Sequence, residues 1–233
     1  MSEPLISNNI LSTERYFKFG MFFLLFLLLV FDRDMALVYA LMIAGDFMWY
    51  RMDKKVQFHL RARKSDIIRS ALFAIIGAVI FLTISGFVMK TMGVVDTSFQ
   101  AILNLYATST PILAGNQYLT LIGWGILIPL IETSFFFGRV LEGFKSFVTR
   151  QRGNGFSLNK LSVKTAIVFT FVAGAFALFH ITAKGLSSTP LMLTFIFAII
   201  SCYLVAKEKQ LAGAVILHVI VNSLAVAISF GWL

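Results

Sequence analysis

Residues 117–143 read QYLTLIGWGILIPLIETSFFFGRVLEG, an apolar run whose first carboxylate, Glu132, stands past its midpoint. Roughly 20 mostly apolar residues suffice to cross a bilayer as a helix. A carboxylate in hydrocarbon is costly and turns toward a protein-lined polar space. The stretch therefore predicts a membrane-spanning helix that points Glu132 into the interior of a bundle. Comparable runs near 16–31, 35–50, 70–89, 164–183, 188–206 and 210–232 bring the expected number of spans to about seven, with six to eight allowed because the first two runs are short. The expected fold is an all-α polytopic membrane protein whose helices enclose a polar intramembrane cavity.

Composition supports that class. The chain has 233 residues, of which 58% are hydrophobic and only 13% charged, with a mean hydropathy of +0.86, too little polar surface to cover a soluble core. A net charge of +9 could suggest a nucleic-acid partner. The basic residues collect between apolar runs instead, which points to a lipid bilayer with an anionic inner leaflet and to no nucleic acid. Cys202 is the single cysteine and can form no internal disulfide. The first run, Phe17 to Phe31, follows Arg15 and Lys18 like a signal sequence, but no small-residue cleavage site separates it from the second run, so it reads as a retained helix.

The positive-inside rule orients the bundle. With the N-terminus in the cytoplasm and the C-terminus outside, 17 of the 20 Lys and Arg residues fall on the inner side, and only Arg33, Lys90 and Lys184 fall outside. Residues 51–66, RMDKKVQFHLRARKSD, alternate basic and apolar residues like a helix lying on the inner leaflet, and His59 within it reads as interfacial. Residues Lys90 to Pro111 read as a polar outer loop, and GNGFSLN (153–159) as a flexible inner turn. With no internal repeat, the chain reads as one membrane domain over 1–233. Its N-terminal spans occupy 16–110, with a basic inner loop at 51–69, and a core that carries the chemistry occupies 116–233.

Three apolar helices carry groups that membranes do not tolerate without reason. Glu132 follows Pro129, which removes a backbone donor and loosens the helix. Among Leu130, Ile131, Phe135 and Phe136, its charged form is penalised by desolvation, which suits a general base. A structural pairing with Arg139, two turns on, is the alternative. Phe176 and His180 in FALFH are four apart and share a helix face, as do His218 and Asn222 in HVIVN. Interhelical hydrogen bonding would explain His218 and Asn222 equally well. Asp46 could face either the cavity or the headgroups.

The ordered set resembles the CPBP intramembrane protease family, also called Abi or CAAX prenyl protease 2-like. That family carries E-E-x-x-x-R, F-x-x-x-H and H-x-x-x-N/D on three helices. FALFH and HVIVN fit the second and third patterns. The first fits in part: Glu132 matches the leading glutamate, Thr133 replaces the second, Phe137 stands where the arginine belongs, and Arg139 comes two positions late. The resemblance spans roughly Asn116 to the C-terminus. It implies an intramembrane endopeptidase for membrane-associated, in some members prenylated, protein or peptide substrates. In it Glu132 activates water with help from His180, while His218 and Asn222 stabilise the oxyanion, and Phe176 and Arg139 support them.

Two other functions compete. A family relative that binds without cutting, as a scaffold or immunity-like protein, would explain Thr133 and Phe137. A proton-coupled carrier would explain intramembrane Glu, His and Asp46, but lacks the paired broken helices of such proteins. No cofactor is required by the proposed chemistry. Zinc is the ion that Glu132, His180 and His218 would suit, at the expense of the general base. One geometric difficulty stands out: counted from the inner ends of their expected spans, His180 lies about 10 Å deeper than His218 and several ångströms deeper than Glu132 at 1.5 Å per residue.

Overall fold

The computed structural model describes residues 37–45, 64–107, 116–150, 162–181 and 186–233. The expected first span, Asp46, the surface stretch through Arg63 with His59, and GNGFSLN lie outside the described residues. Every regular element among the described residues is helical. In chain order they are α1 (37–45), α2 (Lys64–Thr91), α3 (Phe99–Ala107), α4 (117–150), α5 (Val163–Phe179), α6 (Ser188–Glu208) and α7 (Ala212–Ser229). Segments Asp66–Thr91, Gln117–Lys145, Ser188–Glu208 and Ala212–Ser229 are each long and apolar enough to cross a membrane, and α5 is shorter.

The helices are stopped and started by local chemistry. Asn116 Oδ1 accepts from the backbone N–H groups of Tyr118 and Leu119 at 3.0 and 3.1 Å and so caps α4, while Ser162 Oγ accepts from Thr165 N–H at 3.2 Å at the head of α5. α6 ends where Lys209 takes the left-handed conformation, φ 57°. α2 shows why such a helix belongs in lipid. Its inward face carries Ser70, Ala74, Phe81, Ser85 and Met89, all buried, while Ile68, Leu72, Ile75, Ile76, Val79 and Phe87 are exposed. A helix this apolar on its outer face is not solvated by water.

α7 is the hub, packing against α2, α3, α6 and the first half of α4, while α5 packs mainly on α6. The close approach of α7 to α4 requires Gly125, where a Cβ would stand 2.9 Å from Ser223 Oγ.

Several sequence expectations are corrected. The outer loop after Lys90 contains α3, whose Ile102, Leu103 and Tyr106 are buried in the core. Ser98 caps this helix by accepting from Ala101 N–H at 3.2 Å, and exposed Asp96 accepts from Ser98 N–H at 2.9 Å, which holds its carboxyl below the usual range. α2 begins at Lys64, so the end of the basic stretch continues directly into the span. α4 runs to Arg150 rather than 143, and α5 stops at Phe179 rather than 183.

These end points remove most of the depth difficulty. Glu132 counted back from Arg150, the end of α4, and His180 counted forward from Val163, the start of α5, stand nearly the same number of residues from those helix ends.

Candidate active site

α4 is not a uniform α-helix. Leu121–Leu127 and Thr133–Val140 are π-helical and flank a short α-helical piece, Ile128–Glu132. Such bulges re-aim side chains and recur at functional sites. The first has a visible cause. Pro129 lacks the N–H that would bond the Gly125 carbonyl in an α-helix or the Trp124 carbonyl in a π-helix. α7 supplies both donors instead: Ser223 Oγ donates to Gly125 O at 3.2 Å, and Asn222 Nδ2 donates to Trp124 O at 3.1 Å. A loosened turn of α4 is thereby stitched to α7 immediately before Glu132.

Glu132 is 1% exposed and is held from three directions. The Tyr39 hydroxyl of α1 donates to its Oε1 at 2.8 Å. Its Oε2 lies 3.7 Å from Nε2 of His180 and 3.6 Å from Nε2 of His218. The structure thus brings together the glutamate and both histidines read from the sequence, on α4, at the end of α5 and on α7.

Each imidazole is fixed through its other nitrogen. His180 is the C-cap of α5, and its Nδ1 donates to the Phe176 carbonyl at 2.8 Å, since a carbonyl can only accept. In the neutral ring this leaves the Nε2 lone pair facing Glu132 Oε2. His218, fully buried, meets Thr133 Oγ1 through Nδ1 at 3.0 Å.

Aromatic rings hold both histidines. The Phe176 ring centroid lies 4.5 Å from that of His180 and 5.9 Å from that of His218. Phe179 stands 5.5 Å from His180, and Phe197 stands 4.8 Å from His218. Phe137, where the family pattern has arginine, is fully buried against Phe176 at 5.1 Å. Arg139 follows in the same π-helical segment and is partly buried. Asn222 shares the α7 face with His218, and its hydrogen bond among the described residues goes to Trp124, the interhelical use that was the alternative reading for it.

Sequence reasoning missed Tyr39, which comes from a helix with no motif. It also treated Thr133 only as a missing glutamate, although its hydroxyl is the neighbour of His218. Among the described residues, no group of three His, Cys, Asp or Glu side chains has the arrangement that grips a metal ion.

A bundle of long apolar helices with an acid and one histidine buried inside it, and a second, partly buried histidine beside them, is the build of an integral membrane protein with a polar cluster within the bundle. Residues 114–224 match the family model described as type II CAAX prenyl endopeptidase Rce1-like, so this region is similar to that family. The match covers all of α4, α5, α6 and most of α7, and leaves out α1 to α3. No curated protein and no solved structure matches the chain.

Proposed function

We propose that the chain is an intramembrane endopeptidase that hydrolyses a peptide bond of a membrane-associated substrate, lipidated CAAX-type proteins being the class that the family suggests. The observation that carries the reading is the position of Glu132 Oε2, 3.7 and 3.6 Å from the Nε2 atoms of His180 and His218. These separations exceed a good direct hydrogen bond and suit a bridging water. With His180 Nδ1 committed to the Phe176 carbonyl, Glu132 Oε2 and His180 Nε2 both present lone pairs. A water donating one hydrogen to each is oriented with its own lone pairs outward.

In the reaction, Glu132 takes a proton from this water as the oxygen attacks the scissile carbonyl carbon. The carbonyl π-bond pair moves to oxygen, and the oxyanion is met by His218 Nε2–H and by the N–H of Asn222 not used by Trp124. On collapse the C–N bond breaks, and Glu132 returns its proton to the leaving amine. Atoms and charge balance: water and an amide give a carboxylic acid and an amine. The side chain of His180 retains 14% exposure against 2% for Glu132 and 1% for His218, so substrate and water approach from the His180 side. No metal is needed, because a zinc ion bound by Glu132, His180 and His218 would take up the carboxylate that serves as base.

Purified chain in lipid nanodiscs, offered a mixed pool of membrane-tethered and prenylated peptides, should release cleaved product. Glu132→Gln should abolish release while helicity and expression stay near wild type, since the amide oxygen still accepts from Tyr39 but cannot take a proton from water. Retained cleavage by this variant would remove Glu132 from the role of base.

A further inference from the structure

We propose that Tyr39, outside the region that the family model matches, is a positioning residue that holds the catalytic carboxylate in one orientation; the proposal rests on Glu132 being the base. α1 presents two faces: Tyr39 and Met42 are buried, at 1% and 6% exposure, while Leu37 and Leu41 are exposed. The buried face is thus the one that reaches α4.

The contact is specific. Tyr39 is separated from Glu132 by 93 positions in the chain, yet its hydroxyl meets Glu132 Oε1 at 2.8 Å, with both side chains almost fully buried. Its ring is seated edge-on against Phe179, centroids 6.5 Å apart and planes at 73°, and Phe179 in turn touches His180. One hydroxyl with a fixed ring therefore engages one carboxylate oxygen. The carboxylate plane is pinned, and the other oxygen, Oε2, is the one offered to both imidazoles. Tyr39 thus serves the base by fixing which oxygen reacts. An N-terminal helix that lies outside the matched family region completes the site.

The test uses the full chain in nanodiscs and Tyr39→Phe, which keeps the ring packing and deletes only the donor. Turnover should fall about 10- to 100-fold with the Michaelis constant within about twofold, the pattern of a misplaced catalytic group. In parallel, a hydrophobic carbodiimide should modify Glu132 about threefold more in the variant, because Oε1 is then no longer held by the hydroxyl, read by peptide mass spectrometry. Unchanged turnover, a raised Michaelis constant with unchanged turnover, or reduced turnover with unchanged labelling would each overturn the proposal. If the wild-type chain cleaves nothing, the protease reading fails and labelling decides alone: increased labelling sustains the Tyr39–Glu132 link, and equal labelling ends it. If Tyr39→Phe does not fold, Tyr39→Phe with Glu132→Gln is compared. Recovery of folded protein supports a link through the charge of Glu132, and no recovery overturns it.

Discussion

Thr133 Oγ1 lies 3.0 Å from Nδ1 of His218, with both side chains fully buried, and this contact bears on which nitrogen of the imidazole carries the proton. For His218 to donate from Nε2 to an oxyanion while neutral, Nδ1 must accept, and the threonine hydroxyl is then the donor. An ionised glutamate at position 133, as the family pattern has it, could only accept. The departure at Thr133 is therefore compatible with a working site and need not mark a dead one.

Removing that hydroxyl should slow catalysis without emptying the site. Thr133→Val is expected to lower turnover roughly fivefold, in keeping with a hydrogen bond worth about 1 kcal/mol, and Thr133→Ser should stay within about twofold of wild type. His218→Ala, which removes the donor itself, should cost about 10²–10³-fold. Steady-state kinetics on one peptide would check all three, and equal activity of the Val and Ser variants would exclude the tautomer argument.

Asn222 has a structural duty that separates it from His218. Its Nδ2 donates to the Trp124 carbonyl that Pro129 cannot reach as a donor, so Asn222→Ala should lower the thermal midpoint as well as turnover, at a cost of about 1 kcal/mol for the lost hydrogen bond. Pro129→Ala restores a backbone donor, so combining the two should give a stability loss smaller than the sum of the single losses. Additive losses in a thermal-unfolding series would disprove the coupling.

The distribution of basic residues predicts an orientation with the N-terminus inside and the C-terminus outside. After replacement of buried Cys202, single cysteines at positions 51–63 should resist a membrane-impermeant thiol reagent in intact cells, and one near Leu233 should react. The reverse pattern would invert the topology.

Metal independence is a consequence of the proposal that Glu132 is the base, and it can be tested. Prolonged treatment with a strong chelator should leave turnover within about twofold, since no step needs a Lewis acid in place of the carboxylate. Loss of activity that stoichiometric zinc restores, with zinc retained by the purified chain, would instead make Glu132, His180 and His218 ligands.

The helical class and the identity of three central side chains were legible because each depends on neighbours in sequence. An apolar run of sufficient length must satisfy its backbone as a helix, and an acid or histidine inside it must turn toward protein, so Glu132, His180 and His218 announced themselves. Pro129 showed that a turn of α4 lacked a donor. Tertiary structure alone decided where replacement donors came from, Asn222 and Ser223 on α7, and which groups took each atom of the cluster: Tyr39 on Glu132 Oε1, Phe176 O on His180 Nδ1, and Thr133 on His218 Nδ1. α3 escaped sequence reading because a short helix among polar residues is held by packing rather than by length. The depth of His180 was misjudged because hydropathy marks where a segment is apolar, whereas caps and packing determine where a helix ends. A hydrogen bond between positions 93 residues apart leaves no periodic trace in the chain, since it exists only after several helices have packed and brought the two groups into reach.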